Sequence, residues 1–580
     1  MYIPFPEYPR PLLQRENWLN LNGLWHYAFT DTADTPAAWE GEILVPYSPE
    51  SKASGVEKQL KPDGWLHYQR SFPAPAGAGG RVLLHFGAVD YACAVEVNGR
   101  LVGGHRGGYL PFTLDITDAV KAEDNILTVH VQDPSDTGHQ ARGKQKLQPG
   151  GMYYTAQSGI WQTVWAERVP ETYVAGLKIT PLFDQKRIRV RVDMSDPSVC
   201  SHAAVNVVLR REGEVIAEEW TDETGNAELL VMDKYFRPWS PEDPFLYELS
   251  VTTSSETVTS YAALRKFSKE KDKKGLWRFY LNNKPFLPNG LLDQGYWPDG
   301  LYTPSSDEAM VLDIQTMKDL GFNMLRKHIK IEPQRWYYHC DRLGMVVWQD
   351  MVNGGGKYAD WFVTYAINVA PALIRSWPDS TRRLLARTDE AGRAEYTAEL
   401  EAMVRLLYSH PCIGCWVPFN EGWGQFDARK ATALVRKLDD TRLIDEASGW
   451  FDQGGGDLYS IHNYFYKLKV KPKADRIVAL TEYGGIAWPM PGHTTTDKTY
   501  GYGTAQSRQE LTRRYEKLML DEVKPWMEKG LSALVYTQIS DIQDEVNGIF
   551  TYDRTQIKPE PDAVKACNQA LYDAFEKAVM

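Results

Sequence analysis

Two glutamates, each at the end of an apolar strand-like run, are the residues of this sequence best suited to acid–base chemistry. Glu421 stands in WVPFNEGWG (416–424) and Glu482 in VALTEYGG (478–485). Two carboxyl groups that face one pocket have pKa values that are pushed apart. One protonated and one ionised carboxyl is the pair that cleaves glycosidic bonds. In the alternative interpretation, each glutamate makes a buried ion pair or caps the next helix.

The segments around both glutamates predict how they are positioned. Eight strands that alternate with helices over about 300 residues indicate a (β/α)8 barrel, whose chemistry lies at the carboxyl ends of its strands. Ser305 and Glu308 are a predicted capping box for a helix that runs to Gly321, and a second helix covers 332–343. The predicted strands are FLPNG (286–290), NMLRKH (323–328), MVVWQD (345–350), GCWVPFN (414–420), RLIDEAS (442–448), LYSIH (458–462), VALTE (478–482) and ALVYT (533–537).

The first half of the chain has the pattern of short strands separated by Gly, Pro and Asp. RVLLHF and ACAVEVNG alternate apolar and polar residues, and KRIRVRVDM does the same further on. This pattern predicts a β-sandwich over residues 1–170, a smaller sandwich over 171–268 and the barrel over 269–580. The lysine-rich run KEKDKKG (269–275) is predicted to be a solvated loop or strand end.

Composition excludes several other classes of protein. The net charge of −11 and the pI near 5.7 disfavour a nucleic-acid-binding surface. No apolar run approaches the roughly 20 residues of a membrane span, and the N-terminus lacks a signal-peptide pattern, so a cytoplasmic enzyme is expected. The scattered cysteines are expected to be reduced, and the CxxC pair Cys412–Cys415 has no second pair to complete a zinc site. The six are Cys93, Cys200, Cys340, Cys412, Cys415 and Cys567.

Several motifs in one order resemble glycoside hydrolase family 2. WVPFNEGWG is similar to the family's Asn-Glu motif on strand four, and VALTEYGG to its nucleophile strand. LNGLW (21–25), VNGRLVGGHRGGYLPF (97–112) and SGIWQTVWAE (158–167) resemble its N-terminal sugar-binding jelly roll. WSPEDPFLY (239–247) resembles the end of its immunoglobulin-like domain, and FYLNNKPFLPNG (279–290) the entry into its TIM barrel. The resemblance therefore covers the whole chain.

The resemblance implies roles for the residues around the two glutamates. Glu421 would be the acid/base, Glu482 the nucleophile, and Asn420 the ligand of the sugar 2-hydroxyl. Retention of configuration then requires carboxyl groups roughly 5–5.5 Å apart. Tyr464 is expected to donate a hydrogen bond to Glu482 and so keep it ionised. His462 has two interpretations, a sugar ligand or a satisfied core histidine, of which the second is preferred.

Other strand ends supply further candidates for substrate binding. Arg326 and His328 match the family's Arg-x-Ser-His only approximately, because this chain is one residue shorter there, so His328 would contact sugar or buttress the pocket. Asp350 is predicted to bind sugar hydroxyls through its two oxygens, although Met351 replaces the glutamate common in the family. The candidate stacking platforms, with Trp423 ranked first, are Trp348, Trp423 and Trp488.

The segment DEVNGIFTYDR (544–554) bears on which sugar is bound. β-Glucuronidases of the family carry Asn-x-Lys ahead of this segment, and this chain has no such lysine. Asp541, Asp544 and Glu545 are expected to make the region acidic and to repel a carboxylated sugar. A neutral sugar is therefore favoured, with β-galactosidase first and β-mannosidase or α-L-arabinofuranosidase behind it; β-glucuronidase and galacturonidase are disfavoured alternatives.

The sequence leaves two other functions open. A transglycosylase shares the covalent intermediate of a retaining hydrolase, and a carbohydrate-binding protein would keep the fold without turnover. The expected partner is an oligosaccharide or glycoside, with no nucleic acid and no membrane. The resemblance implies no cofactor and no metal for the reaction, and homo-oligomers are common in the family.

Overall fold

The computed structural model describes residues 3–198, 205–359, 361–366 and 371–580. Two antiparallel β-sandwiches precede a barrel of eight parallel strands. The predicted multidomain fold of a jelly roll, an immunoglobulin-like sandwich and a (β/α)8 TIM barrel is confirmed.

The N-terminal sandwich packs a four-stranded sheet, β1-β14-β5-β9, against a six-stranded one, β3-β2-β4-β10-β7-β8. Alternating side chains such as Val95 and Val97 fill the space between the sheets, which is why the sequence alternates. Its strands are β1 Trp18–Asn20, β2 Gly23–Thr30, β3 Gly41–Val45, β4 Trp65–Phe72, β5 Arg81–Phe86, β6 Val89–Asp90, β7 Ala92–Val97, β8 Arg100–Arg106, β9 Phe112–Asp115, β10 Asn125–Gln132, β11 Gln145–Lys146, β12 Tyr154–Thr155, β13 Gly159–Ile160 and β14 Val164–Val169.

The middle sandwich pairs sheet β15-β16-β19 with sheet β18-β17-β20-β21. In β16 the apolar residues Ile188, Val190, Val192 and Met194 are buried and alternate with exposed or half-exposed charged residues, as KRIRVRVDM predicts. Its strands are β15 Val174–Leu182, β16 Arg187–Met194, β17 Asn206–Arg211, β18 Glu214–Trp220, β19 Asn226–Leu230, β20 Tyr247–Thr252 and β21 Thr257–Ala262.

A small three-stranded sheet leads into the barrel: β22 Phe267–Lys271, β23 Trp277–Leu281 and β24 Lys284–Pro285. The lysine-rich run is thus partly strand, and only its second half turns. Phe267 and Phe279 pack into the barrel's hydrophobic core from this sheet. We propose the division into residues 1–170, 171–268 and 269–580, although β22 crosses the last limit.

Eight parallel strands form the barrel in the order β30-β28-β27-β26-β25-β34-β33-β32. All eight predicted strands are present. The first begins later than predicted, at Asn289, since Pro288 has no N–H to donate to a sheet. The barrel strands are β25 Asn289–Asp293, β26 Met324–Lys327, β27 Val346–Asp350, β28 Ile413–Val417, β30 Leu443–Ile444, β32 Leu458–Asn463, β33 Ile477–Gly484 and β34 Leu531–Thr537, with β29 Phe419–Asn420 and β31 Ala447–Ser448 pairing above them.

Helices cover the outside of the barrel. The predicted capping box is wrong by one residue, because the Ser306 hydroxyl, not that of Ser305, accepts from the Ala309 N–H. The α-helices are α1 Asp307–Asp319, α2 Gln334–Leu343, α3 Pro371–Ile374, α4 Glu390–Leu407, α5 Ala428–Leu438, α6 Arg508–Lys517 and α7 Pro561–Val579. The described residues also contain two π-helices, Trp361–Tyr365 and Leu518–Val523, and 3-10 helices at Lys52–Ser54, Ser135–Thr137, Phe183–Gln185, Asp233–Tyr235 and Lys524–Lys529.

The barrel's backbone ladder is open between the fifth and sixth strands, β30 and β32, both within the described part of the chain. One flanking backbone hydrogen bond, from the Asp457 N–H to the Ile444 carbonyl at 2.7 Å, and side-chain contacts join the strands there. Ser460 Oγ donates to the Asp445 carboxylate at 2.6 Å, and Ser448 Oγ lies 3.0 Å from His462 Nε2. This seam, defined by these four residues, completes the closure of the barrel.

The described cysteines are reduced, as predicted. Five cysteines are free and buried, and Cys200 lies outside the described residues. Cys412 and Cys415 are packed in the core around β28. In the part of the chain that the structure describes, no helix combines the length and the apolar character needed to cross a bilayer.

Candidate active site

Both glutamates lie at the carboxyl end of the barrel strands. Glu482 is within β33, while Glu421 directly follows β29 in a left-handed conformation with φ 51°. The next residue, Gly422, also has positive φ, 75°, where a Cβ would lie 2.3 Å from Cδ2 of buried Phe451. The Glu421 N–H donates to the Ser448 carbonyl at 2.9 Å, which fixes the turn against β31. This tight turn aims the Glu421 side chain back over the barrel.

The two carboxyl groups approach each other closely. One oxygen of Glu421, one of Glu482 and one ring nitrogen of His462 all lie within 4.8 Å of one another. Inverting glycosidases need roughly 6.5–9.5 Å between carboxyl groups to admit a water, whereas retaining ones need about 5–5.5 Å. The spacing therefore fits direct attack by one carboxylate on the substrate.

The surroundings of Glu482 favour its ionised form. Arg326 Nη1 donates to Oε1 at 3.1 Å, and Tyr464 OH donates to Oε2 at 2.7 Å, as the sequence predicted for Tyr464. Burial raises the pKa of the Glu482 carboxyl, but the nearby His462 and Arg326 side chains lower it by more, so its pKa lies below the ordinary value. The Tyr464 ring is itself held by stacking on Tyr502, with centroids 3.7 Å apart.

His462 lies between the two glutamates. Its Nδ1 is 2.7 Å from Glu421 Oε1 and 3.6 Å from Glu482 Oε2, and its Nε2 contacts Ser448. It is 4 % exposed and contacts both candidate catalytic groups. His462 is thus a buried, hydrogen-bonded histidine, as preferred from the sequence, and direct contact with sugar stays a prediction.

Arg326 organises the site but has no donor left for a sugar. Nε and Nη2 bond to Asp350, Nη1 to Glu482 and the Thr481 carbonyl, and Nη2 also to Asn420 Oδ1 at 2.8 Å. These contacts use all five N–H donors of a guanidinium. Arg326 therefore positions Glu482 and Asn420, and the prediction that it binds substrate directly is corrected.

Asp350 is also a support rather than a sugar ligand. Its oxygens accept from Arg326 at 2.9 and 3.0 Å, and Oδ2 lies 2.9 Å from His328 Nδ1. The residue is 1 % exposed, so it offers no free oxygen to a hydroxyl. Burial raises its pKa despite the Arg326 guanidinium.

His328 and Asn420 lie on the same side of the pocket as this network. Burial and the Lys144 ammonium hold the pKa of His328 well below its ordinary value. Asn420 uses Oδ1 for Arg326, which orients its amide NH₂ away from that guanidinium. In each side chain one polar atom is held by a neighbour, Nδ1 of His328 by Asp350 and Oδ1 of Asn420 by Arg326. The other polar atom, Nε2 of His328 or Nδ2 of Asn420, is available to a ligand.

Lys144 reaches this region from the N-terminal sandwich. The preceding N–H groups of Arg142 and Gly143 donate to the Asn353 carbonyl at 2.9 and 3.0 Å, and a Cβ on Gly143 would lie 3.1 Å from the Ile329 carbonyl. These contacts bring the loop against the end of β26. The Lys144 ammonium makes no hydrogen bond or ion pair with any described residue, although its charge acts on His328 and Glu482.

The three predicted tryptophans lie in different environments. Trp348 is fully buried and stacked on Phe279, so it belongs to the core. Trp488 packs beside Ile486 and Leu511, away from the residues that line the cavity at Glu421. Trp423 does line that cavity, but at 3 % exposure most of its surface is covered by neighbouring aromatic rings.

An open cavity of about 330 Å³ lies in front of Glu421. Trp450 lines it and meets the His462 ring edge-to-face, with centroids 5.2 Å apart. Met152, from the N-terminal sandwich, contributes to the same wall. The residues around the cavity are Met152, Val363, Arg375, Glu421, Trp423, Trp450, Ile461, His462, Asn463, Tyr464, Phe465, Tyr466, Lys467, Leu468, Lys469, Tyr500 and Tyr502.

The acidic side chains near residue 544 all accept hydrogen bonds within the fold. Asp541 pairs with Lys558 at 2.6 Å, Asp544 accepts from the Gly151 N–H and from Thr496, and Glu545 accepts from Asn547 at 3.0 Å. Tyr154 also donates to Glu545. Of the three, Asp541 has a cationic partner, whereas Asp544 and Glu545 accept from neutral donors and keep their negative charge. Repulsion of a carboxylated sugar by this region therefore stays a prediction.

Among the residues that the structure describes, one group of potential metal ligands is close enough to hold a cation: Glu421, His462 and Glu482. A cation bound there would lie beside the Arg326 guanidinium, 3.1 Å from Glu482. We interpret the group as an acid–base assembly, since the guanidinium already supplies its positive charge.

Several site residues were not predicted from the sequence. Ser448 ends β31 and Trp450 lies two residues beyond it, where a strand-end search around RLIDEAS would have found them. Lys144, Met152 and Arg375 carry no local signal, because each reaches the site from a segment distant along the chain.

Comparison with known families gives three matches along the chain. Residues 55–162 match the galactose-binding domain-like model of glycosyl hydrolase 2, residues 172–265 match the model of glycosyl hydrolases family 2, and residues 273–565 match that family's TIM barrel domain. The last match alone spans half of the chain.

Relatives with two different names are similar to this chain. A β-galactosidase of Thermoanaerobacter pseudethanolicus is 24 % identical over 72 % of this chain, and a β-glucuronidase of Bacteroides fragilis is 25 % identical over 75 %. The chain covers 54 % and 61 % of their respective lengths.

Solved structures share the fold over nearly the whole chain. A β-glucuronidase of an uncultured Clostridium species has a TM-score of 0.72 and 17 % identity, with 99 % of this chain and 100 % of that one covered. A β-galacturonidase of Eisenbergiella tayi has a TM-score of 0.71 and 16 % identity, with 98 % and 99 % covered.

Proposed function

The chain belongs to glycoside hydrolase family 2, and we propose that it is a retaining exo-glycosidase that removes terminal non-reducing sugar residues. In the first step Glu482 attacks the anomeric carbon while Glu421 gives its proton to the departing oxygen. In the second, Glu421 takes a proton from water, whose oxygen displaces Glu482 from the same carbon. Each step passes through an oxocarbenium-like transition state, and two inversions retain the configuration.

The unequal environments of the two glutamates carry this assignment. Glu482 accepts hydrogen bonds from Arg326 and Tyr464, which favours a permanently ionised nucleophile. The Glu421 side chain is more exposed, 17 % against 6 %, and Oε1 contacts an imidazole instead of a guanidinium. A group that must gain and lose a proton in each cycle suits the second environment.

Asn420 is proposed to bind the sugar 2-hydroxyl. Because Arg326 holds its Oδ1, the amide NH₂ has a defined direction beside Glu482. A hydrogen bond there is expected to strengthen as positive charge develops on the ring.

For the sugar, the sequence favours a β-galactoside, and one observation supports a second candidate. Asp541, one of the acidic residues expected to repel a carboxylate, is paired with Lys558. The Lys144 ammonium lies 5.9 Å from the centroid of the Tyr154 ring, makes no ion pair with a described residue, and its charge acts on His328 and Glu482. A lysine ammonium has three donors and attracts carboxylate groups. A β-uronide is therefore the second candidate, and the names of similar proteins include both activities.

A panel of nitrophenyl glycosides tests the proposal directly. It includes galactose, glucose, mannose, arabinose, fucose and both uronic acids, and one dominant signal identifies the sugar. The Glu482→Gly variant should lose turnover of the activated substrate and keep its fold by circular dichroism. Unchanged turnover in this variant would overturn the assignment of the nucleophile.

Two rival functions need their own measurements. Adding an acceptor sugar and analysing products separates transfer from hydrolysis, since both share the glycosyl-enzyme. A carbohydrate-binding protein would bind sugar without turnover of any member of the panel, which would contradict the proposed activity.

A further inference from the structure

The cavity in front of Glu421 is the place where the leaving group of the proposed reaction would lie. The acid/base must contact the departing oxygen, so the aglycone occupies space on the outer side of Glu421. The cavity of about 330 Å³ includes Glu421 in its wall, and this volume is in the range of small-ligand sites. This step rests on the proposed function.

Cations dominate the charge of this cavity. Arg375, Lys467 and Lys469 line it, and Glu421 is its one acidic lining residue among those described. Arg375 Nη1 donates to Tyr459 OH at 2.8 Å and, more weakly, to the Ser460 carbonyl at 3.4 Å, both neutral groups.

The two lysines are unpaired. Lys467 and Lys469 are exposed and make no hydrogen bond or ion pair with any residue the structure describes. Three cations against the single Glu421 carboxyl contrast with the net charge of −11 of the whole chain. Such an excess at a pocket mouth attracts anionic ligands and raises their association rate.

Aromatic side chains accompany the cations. Phe465 and Tyr466 are 63 % and 56 % exposed at the rim, and the half-buried Trp450 lies deeper, beside His462. Large exposed apolar side chains beside a pocket mark ligand-binding surfaces. Aromatic faces pack against the apolar faces of sugar rings, whereas the ammonium groups suit their acidic substituents.

We propose that this cavity is a leaving-group subsite for an anionic saccharide, one that carries a carboxylate on the sugar next to the cleaved bond. Arg375, Lys467 and Lys469 supply the charge, and Trp450, Phe465 and Tyr466 supply the stacking surface. Specificity for the leaving group then comes from the segment after β32, separately from the residues that hold the terminal sugar.

Turnover of matched substrates tests the proposal. The sugar with the strongest signal in the panel is linked to 4-nitrophenol and to 3-carboxy-4-nitrophenol, and each variant is compared with the unmodified enzyme on both. In the double variant Lys467→Gln/Lys469→Gln, kcat/KM for the carboxylated substrate should fall about fivefold to twentyfold more than for the neutral one. This difference between the two falls in kcat/KM should become smaller at high salt, because salt screens the lysine charges.

Lys471→Gln is the matched control, because Lys471 lies on the same segment, is exposed and does not line the cavity. Lys471→Gln should change kcat/KM by the same factor for both substrates. An equal fall for both substrates in the double variant would overturn the charged subsite, whereas no turnover by the unmodified enzyme would contradict the proposed function instead.

Binding supplies a readout that does not need turnover. In the Glu482→Gln protein, calorimetry with trigalacturonate and with neutral maltotriose should show tighter binding of the acidic trisaccharide, and the double variant should remove the difference. Equal affinities for the two trisaccharides in Glu482→Gln would reject the proposal even if hydrolysis is established.

Discussion

The Nδ1 atom of His462 lies 2.7 Å from Oε1 of Glu421. The same nitrogen is 3.6 Å from Oε2 of Glu482, so one imidazole is shared by the proposed acid/base and the proposed nucleophile. Ser448 contacts its other nitrogen and limits rotation of the ring. The position of the Glu421 carboxyl therefore depends on a residue that needs no contact with substrate.

His462→Ala should lower kcat/KM about a hundredfold, because a small displacement of a catalytic group costs that much. The loss should be larger for substrates with poor leaving groups, which depend on protonation by Glu421. Measuring kcat/KM against leaving-group pKa checks this. A uniform loss across leaving groups, with a lower unfolding midpoint, would indicate a structural role only.

Variants of the two glutamates should respond differently to azide. Glu421→Ala should keep more activity on a dinitrophenyl glycoside than on a poor leaving group, and azide should yield a glycosyl azide of retained configuration. In Glu482→Ala, azide takes the place of the lost nucleophile and should yield the inverted product. Proton NMR of the products distinguishes the two, and identical configurations would contradict the assigned roles.

Tyr464→Phe should move the acid limb of the kcat/KM profile to higher pH. The lost hydroxyl hydrogen bond stabilises ionised Glu482, and its removal raises the pKa of that carboxyl. The pKa of Glu482 is lowered in the folded enzyme, so its stabilising contribution is present above the unfolded pKa and is lost as pH falls through the folded pKa.

The acid limb and the unfolding free energy of Tyr464→Phe are measured between about pH 2 and 7, a window that runs from the folded pKa of Glu482, about 2, to above the ordinary value of 4.5. The phenyl ring can keep its stacking on Tyr502, so the fold should persist. An acid limb at an unchanged pH would mean that the hydroxyl does not influence the nucleophile.

Gly422→Ala should destabilise the protein and reduce activity. A left-handed conformation costs a residue with a Cβ about 1–2 kcal/mol, and the new methyl would also overlap Phe451. Gly55→Ala is the control, since Gly55 has φ 78° and no atom within 4 Å of its would-be Cβ. Urea unfolding should give a larger loss of unfolding free energy for Gly422→Ala than for Gly55→Ala. Equal losses would show that overlap with Phe451 does not add to the cost of the left-handed conformation.

The sequence predicts the barrel well because its signal is local. Eight apolar runs predict eight strands, and their ends locate Glu421, Glu482 and Tyr464. The ends of elements are predicted less exactly where two neighbouring residues can do the same job. Ser305 and Ser306 can both cap the first helix of the barrel, and the structure uses Ser306.

The functions of individual polar residues at the site depended on distant partners. Arg326 and Asp350 look like sugar ligands in sequence, but they bond to each other in the folded chain. The remaining Arg326 donors go to Glu482, the Thr481 carbonyl and Asn420. Lys144 and Arg375 reach the site from segments whose approach no local pattern encodes.

The backbone ladder is open between β30 and β32, and His462 of the proposed active site lies at this gap. Residues of the site therefore help to close the barrel. The side-chain contact between His462 and Ser448 adds to the backbone hydrogen bond, from the Asp457 N–H to the Ile444 carbonyl, that joins the two sides. A ligand that orders Glu421 and His462 should thus slow amide hydrogen exchange on both sides of the seam. Binding in the pocket would then stabilise the closure of the whole barrel.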